Sequence, residues 1–203
     1  LTWDHGLPSF DILCRGELFC RVSLAVPGVH NVRNALAAAA AAIALHVPAQ
    51  AVSAGLRAFH GAGRRLEHKG SYHGAQVYDD YAHHPGELQA LLSTAKTLGY
   101  QRVVCAFQPH TYSRTEALFD AFVQALQLSD VTLLAEIFAA REVNEHGTSS
   151  KALAAQIPGS RYFPTLDALT DYLREIARPG DLILTVGAGD IYTVGEALVQ
   201  SPA

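Results

Sequence analysis

The stretch Arg102-Val103-Val104-Cys105-Ala106-Phe107-Gln108-Pro109-His110-Thr111-Tyr112-Ser113-Arg114 decides the fold. Residues 103–107 are apolar without alternation, as in a strand buried on both faces of a sheet. A polar cluster follows at once, and helix-forming residues resume at 113–126. The same unit recurs outward from it. Predicted strands at 131–135, 161–163 and 181–186 alternate with predicted helices at 85–98, 113–126, 150–157 and 166–177. The last strand runs into Gly187-Ala188-Gly189 and a helix over 192–199. Short apolar strands separated by amphipathic helices define an α/β domain with a doubly wound, mainly parallel sheet.

Toward the amino terminus the pattern changes. Residues 10–14 and 18–25 read as a hairpin turning at Arg15-Gly16-Glu17, and 66–69 with 75–79 as a second strand pair around a glycine turn. Between them lie two helices, an Ala-rich one over 31–45 and another over 49–59, with Pro48 marking the stop of the first. Gly61-Ala62-Gly63 separates Ala-rich helix from β-type pattern and is the expected domain junction, giving domains 1–62 and 63–203.

Composition narrows the partners. A net charge of −4 at pH 7 offers no broad attraction to nucleic acid or to an anionic membrane, so any anion must be held locally. The Ala-dominated run over 35–45 is far shorter than the ~20 residues of a membrane span. Cys14, Cys20 and Cys105 have neither an even count nor metal-site spacing, so a reduced, cytoplasmic setting is expected, with no structural metal. The chain opens on Leu1 and contains no methionine, which reads as a piece of something longer.

In parallel sheets, ligand groups gather in loops past the carboxyl ends of the strands. Four polar clusters follow predicted strands: Asp79-Asp80-Tyr81-Ala82-His83-His84, residues 108–114, residues 136–146, and residues 187–190. The first admits a metal site, a phosphate or ribose site, or a plain helix cap with exposed histidines before Pro85. In the second, His110 and Arg114 lie four apart, one helical turn. Arg114 suits bidentate capture of a carboxylate or phosphate, or a surface ion pair with Glu116 or Asp120. Near the chain start, Asn31 reads as a helix cap, while Asn34 sits inside an Ala-rich helix where its propensity is poor. Its amide matches the donor and acceptor on an adenine edge. Arg64 and Arg65 stand where a hinge would reach a phosphate or simply cover an interface. Gly187 and Gly189 fit tight strand-to-helix packing and imply no cofactor.

The order of these motifs resembles the Mur ligase family. Residues 27–35, Pro-Gly-Val-His-Asn-Val-Arg-Asn-Ala, are similar to its Gly-x-His-Asn-x-x-Asn signature. Gly63-Arg64-Arg65 and then Asp79-Asp80-Tyr81-Ala82-His83-His84-Pro85 follow in the family's order. Residues 107–115, Phe-Gln-Pro-His-Thr-Tyr-Ser-Arg-Thr, look like the loop of the branch that joins L-alanine to UDP-N-acetylmuramate. The resemblance implies an ATP-dependent amide-forming enzyme of peptidoglycan precursor synthesis that works through an acyl phosphate. It implies three domains, of which 1–62 is the tail of the central ATPase domain and 63–203 the Rossmann-like terminal domain, the remaining domains acting as partners. Carried over, His30, Asn31 and Asn34 are expected at adenine, Asp80 at the ribose and Arg65 at the phosphates of ATP. Tyr81, His83, His110 and Arg114 are expected to line the pocket for L-alanine and the acyl end of UDP-N-acetylmuramate. His83, His110 and Arg114 are expected to act in the chemistry, and Mg2+ is expected with the ATP phosphates.

Two departures stand out. Position 111 is Thr where this loop usually carries Arg, removing one guanidinium. No Gly-x-x-x-x-Gly-Lys-Ser/Thr loop occurs in the 203 residues, so phosphoryl transfer is not expected from this stretch alone. These departures motivate an alternative, a ligase-like module that binds without turnover. A metal-dependent phosphoesterase at Asp79, Asp80, His83 and His84 is a weaker one, since a six-residue cluster supplies few ligands.

Overall fold

The computed structural model describes residues 1–4 and 6–200. Two compact units appear, Leu1–Ala62 with Thr97–Gly99, and Gly63–Lys96 with Tyr100–Ala203.

The first unit is an antiparallel sheet ordered β1-β2-β3 with two helices. Strands β2 (Leu7–Cys14) and β3 (Glu17–Ser23) form the expected hairpin, and Arg15 (φ 54°) and Gly16 (φ 88°) make its two-residue turn. Left-handed conformation at both turn positions matches the twist of the strands. Alternate residues Phe10, Ile12, Cys20 and Val22 face the core, where they meet Val32, Ala35 and Val52 of α1 (Val29–Ala44) and α2 (Ala49–Ala58). Strand β1 (Thr2–Asp4) was not expected, because its exposed Thr-Trp-Asp has no apolar pattern; pairing with β2 makes it a strand.

The second unit is a six-stranded sheet ordered β4-β5-β9-β6-β7-β8. Its strands are β4 (Glu67–Tyr72), β5 (Ala75–Asp80), β6 (Arg102–Phe107), β7 (Val131–Ala135), β8 (Arg161–Phe163) and β9 (Asp181–Val186). Only the β4–β5 pair is antiparallel. Helices α3 (Pro85–Ala95), α5 (Phe119–Leu126) and α6 (Ser150–Ala155) pack along one face, α7 (Leu166–Ile176) and α8 (Tyr192–Val199) along the other. The sheet is therefore α/β and doubly wound, as the strand pattern predicts. Central β9 is buried at all six positions, which explains why it reads as an unbroken apolar run. Asp181 at its start is tolerated because Arg102 of β6 grips it with Nε at 2.9 Å and Nη2 at 2.5 Å.

Two helices differ from expectation. The helix read over 113–126 is broken at Leu118 (φ −119°, ψ 22°) into α4 (Tyr112–Ala117) and α5. Helix α4 follows the loop after β6, whereas α5 turns to bury Phe122 and Leu126 on the sheet. Helix α3 stops at Ala95 rather than 98, ahead of Gly99 with φ 81°. Among the described residues no helix is long and apolar enough to cross a membrane.

Candidate active site at the carboxyl edge of the sheet

The chain leaves β5 and β6 toward one face and β9 toward the other, so a crevice opens beyond the carboxyl ends of these three strands. Backbone and side-chain bonds sew its loops together. Gly187 N–H donates to Asp80 O at 3.0 Å and Gln108 N–H to Val186 O at 2.9 Å. The Gln108 amide clamps the loop after β9, donating to Asp190 Oδ1 (2.7 Å) and accepting from Ile191 N–H (3.1 Å). Glycine is required here: a Cβ on Gly187 would lie 2.6 Å from Gln108 O, and one on Gly189 2.6 Å from the Phe138 ring. The close packing expected of Gly187 and Gly189 is therefore between loops.

The adjacent arginines divide two tasks. Arg64 is consumed by the scaffold: Nε pairs with Asp79 Oδ2 at 2.8 Å, and its other nitrogens donate to Gly187 O (2.6 Å) and Gly189 O (3.2 Å). Asp79 is fully buried and takes a second bond from Thr185 Oγ1 at 2.8 Å. Arg65 is exposed and its guanidinium has no hydrogen bond or ion pair among the described residues; it lies 5.9 Å from the Tyr81 ring centroid. Asp80, 7% exposed, accepts the amides of Leu66 (2.7 Å) and Ala82 (2.8 Å). Burial raises its carboxyl above the ordinary range, against those amides and the charge of Arg65. Each oxygen keeps one lone pair for a ligand hydroxyl.

From Arg65 the predicted residues run on in contact. Tyr81 meets His83 edge-on at 5.3 Å, and His83 meets His110 at 6.0 Å. His110 stacks on Phe138 at 5.6 Å and accepts Arg114 Nη1 at its backbone O at 2.7 Å. The pairing of Arg114 with Glu116 or Asp120 does not occur; Glu116 instead holds His146 at 2.9 Å. Nε and Nη2 of Arg114 have no partner among the described residues, so a two-pronged donor is left for an anion. Burial, then the charges of Arg114 and His83, lower the His110 pKa below 6.5.

His84 is the cap of α3, accepting Gly86 N–H while Glu87 reaches back to the amides of His83 and His84, so the plain capping reading holds for this residue. With Asp79 on Arg64, Asp80 on two amides and His84 on its helix, the cluster does not form a metal cage, and among the described residues no group of three His, Cys, Asp or Glu is arranged as one.

Thr111 is buried and points to Glu142, which the sequence reading quoted in its loop without a role. Phe138, Gln108 and Tyr192, against which Arg64 also stacks at 4.8 Å, were likewise missed; none carries a signal beyond its position after a strand. In the first unit, Asn31 does not cap α1, whose cap is Gly28; Nδ2 of Asn31 donates to Pro27 O at 2.8 Å. Asn34 Nδ2 donates to Asn31 Oδ1 at 3.3 Å, and both Asn34 and His30 are exposed.

Comparison with known proteins gives the family of this doubly wound sheet. The family profile described as Mur ligase, glutamate ligase domain, matches residues 64–189, and the chain belongs to the Mur ligase family. It is 45% identical over 205 aligned positions to the UDP-N-acetylmuramate–L-alanine ligase of Lachnospira eligens, covering 98% of this chain and 45% of that protein. The corresponding ligase of Clostridium novyi is 40% identical, with 99% of this chain and 45% of that protein covered. Among solved structures, the UDP-N-acetylmuramate–alanine ligase of Thermotoga maritima matches with a TM-score of 0.81 at 27% identity, covering 97% of this chain and 43% of that one. The chain spans a little under half the length of these relatives.

Proposed function

We propose that the chain is the carboxy-terminal part of an ATP-dependent, cytoplasmic ligase that joins L-alanine to the lactyl carboxylate of UDP-N-acetylmuramate in peptidoglycan precursor synthesis. The observation that carries this reading is the continuous run Arg65–Tyr81–His83–His110–Arg114, with unpaired guanidinium donors at both ends. An enzyme that phosphorylates one carboxylate and holds another needs two anion clamps.

Arg65 is assigned to the phosphates of ATP, Asp80 to the ribose through its remaining lone pairs, and His30, Asn31 and Asn34 to the adenine side. Arg114 receives the carboxylate of L-alanine on Nε and Nη2, with His110 beside it. His83 and Tyr81 face the acyl end of the UDP-sugar. In this reading the lactyl carboxylate takes the γ-phosphoryl group from ATP, ADP leaves, the alanine amine attacks the acyl carbon, and phosphate departs. Positive charge at Arg114 and Arg65 offsets charge on the tetrahedral intermediate and the phosphate. Mg2+ would come with the ATP phosphates.

Residues 1–62 are assigned to the tail of the central ATPase domain and 63–203 to the terminal domain. Support comes from α1, where only Val32, Ala35 and Ala39 are buried while Val29 and Leu36 are 52% and 42% exposed. From Ala35 to Ala44 every side chain of the helix is apolar, as in one that further protein covers. The decisive measurement is phosphate release by the complete polypeptide with ATP, UDP-N-acetylmuramate and a panel of amino acids. A clear preference for L-alanine is expected; its absence refutes the assignment.

A further inference from the structure

The anion clamp at His110 and Arg114 is not held by its own strand and helix alone. It projects from a loop whose far side is occupied by Glu142, on the segment after β7. The Glu142 carboxylate takes three donors from this loop: Oε1 accepts the Thr111 hydroxyl and, at 2.6 Å, the Ser113 hydroxyl, while Oε2 accepts the Ser113 amide at 2.9 Å. Two further links tie the same segments, Phe138 N–H to Pro109 O at 2.9 Å and the Phe138 ring on His110. The hydroxyl and amide of Ser113, then the Thr111 hydroxyl, hold the Glu142 carboxyl down at about 2, so it is ionised throughout the working range.

We infer that Glu142 is a positioning residue for the acceptor, fixing through Thr111 and Ser113 the direction in which His110 and Arg114 present their donors to the carboxylate of the incoming amino acid. This rests on the ligase reading above. Thr111 acquires a purpose from it. The position that lacks the family's usual arginine supplies a hydroxyl to this carboxylate, and the loop is held without a second guanidinium. A glutamine at 142 can still accept the Ser113 amide, but its NH2 would turn the two hydroxyls from donors into acceptors and the charge-assisted bonds of the carboxylate would be lost.

The test uses the complete polypeptide and steady-state kinetics for Glu142→Gln, Ser113→Ala and the double variant. Glu142→Gln should raise KM for L-alanine about tenfold, the size of one or two lost charge-assisted hydrogen bonds, with KM for ATP within about twofold of the parent. Ser113→Ala should raise the same KM by less, and the double variant should be no worse than Glu142→Gln, because the residues act as one unit. Unchanged KM for L-alanine in both single variants, equal rises in every KM, or strict additivity would overturn the inference. If Glu142→Gln fails to fold, Ser113→Ala and Thr111→Val decide by the same KM criterion. A parent without alanine-dependent phosphate release counts against the ligase reading instead. Positioning is then judged from the His110 ring and Arg114 Nε resonances: displacement in Glu142→Gln supports it, and parent-like positions overturn it.

Discussion

Arg64 and Arg65 are neighbours of identical chemistry with opposite expected phenotypes. Replacing Arg64 by Ala strands Asp79, a carboxylate with no exposure that would keep only Thr185 as a side-chain donor. Removing one partner of a buried ion pair costs about 3–5 kcal/mol. The lower end applies, because the Arg64 side chain is 24% exposed and water can reach part of the vacated space. Lost bonds to the Gly187 and Gly189 carbonyls and lost stacking on Tyr81 and Tyr192 belong to the same sum. A net loss of about 3 kcal/mol corresponds to a fall of roughly 6–12 °C in Tm. Arg64 also holds φ 55°, so Arg64→Gly should be less damaging than Arg64→Ala by about 1 kcal/mol. Arg65→Ala, with no bond to lose, should stay within about 0.5 kcal/mol of the parent while weakening ATP binding.

The assay can isolate the unit concerned. All eight tyrosines lie in the second unit and the single tryptophan, Trp3, in the first. Near-ultraviolet circular dichroism in the tyrosine band therefore follows the second unit, and Trp3 fluorescence the first. A Tm for Arg64→Ala within about 1 °C of the parent in the tyrosine band would refute the assignment of Arg64 to the scaffold. So would an Arg65→Ala protein destabilised as strongly.

Other outcomes follow from the same contacts. The His110 imidazole should titrate below 6.5 in the unliganded protein, and binding of a carboxylate ligand should raise that value; proton NMR reads both, and a ligand that leaves it unmoved would place the anion elsewhere. Because the folded-state pKa of His110 lies below its unfolded value, its contribution to stability is present above pH 6.5 and is lost as pH falls below it. Glu142 behaves in the carboxylate sense. Depressed from 4.5 to about 2 in the fold, it contributes above 4.5 and loses that contribution as pH falls toward 2, so Glu142→Gln should flatten the acid limb of the stability curve. Cys105, fully buried and with its thiol pushed up to about 12, should resist alkylation in native protein while the partly exposed Cys14 reacts; early labelling of Cys105 would contradict the packing of β6.

The second unit was legible wherever burial on both faces imposed an apolar run. Strands 102–107, 131–135, 161–163 and 181–186 and the helix over 192–199 form with the predicted bounds. Edge elements were less legible. Strand β4 extends through His-Lys-Gly-Ser to Tyr72, residues that propensity does not favour, because pairing with β5 around a bulge near Gly70 supplies what the side chains do not. The bend at Leu118 has no composition signal, since both halves are good helix formers and only the pull of two different supports separates them. In the site, Arg65, Tyr81, His83, His110 and Arg114 could be named from sequence because their chemistry is conspicuous. Their supports could not. Which of two adjacent arginines is buried, or which glutamate of a loop turns inward, depends on contacts between segments more than 20 positions apart.

The disposition of charge at this edge explains how an acidic chain makes a place for anions. Three carboxylates, Asp79, Asp80 and Glu142, stand among three arginines, and simple proximity would predict mutual cancellation. The fold prevents it by giving each carboxylate other work. Asp79 neutralises the one arginine that is already structural, Asp80 takes two backbone amides, and Glu142 takes two hydroxyls and an amide. Backbone dipoles and hydroxyls thereby absorb the negative charge that would otherwise quench Arg65 and Arg114. Both guanidiniums are left with unfilled donors, Arg65 exposed over the Tyr81 ring and Arg114 half-buried, where attraction for an anion would be stronger than at an open surface. The carboxylates thus act indirectly, by fixing loops and by leaving the donors of Arg65 and Arg114 unpaired.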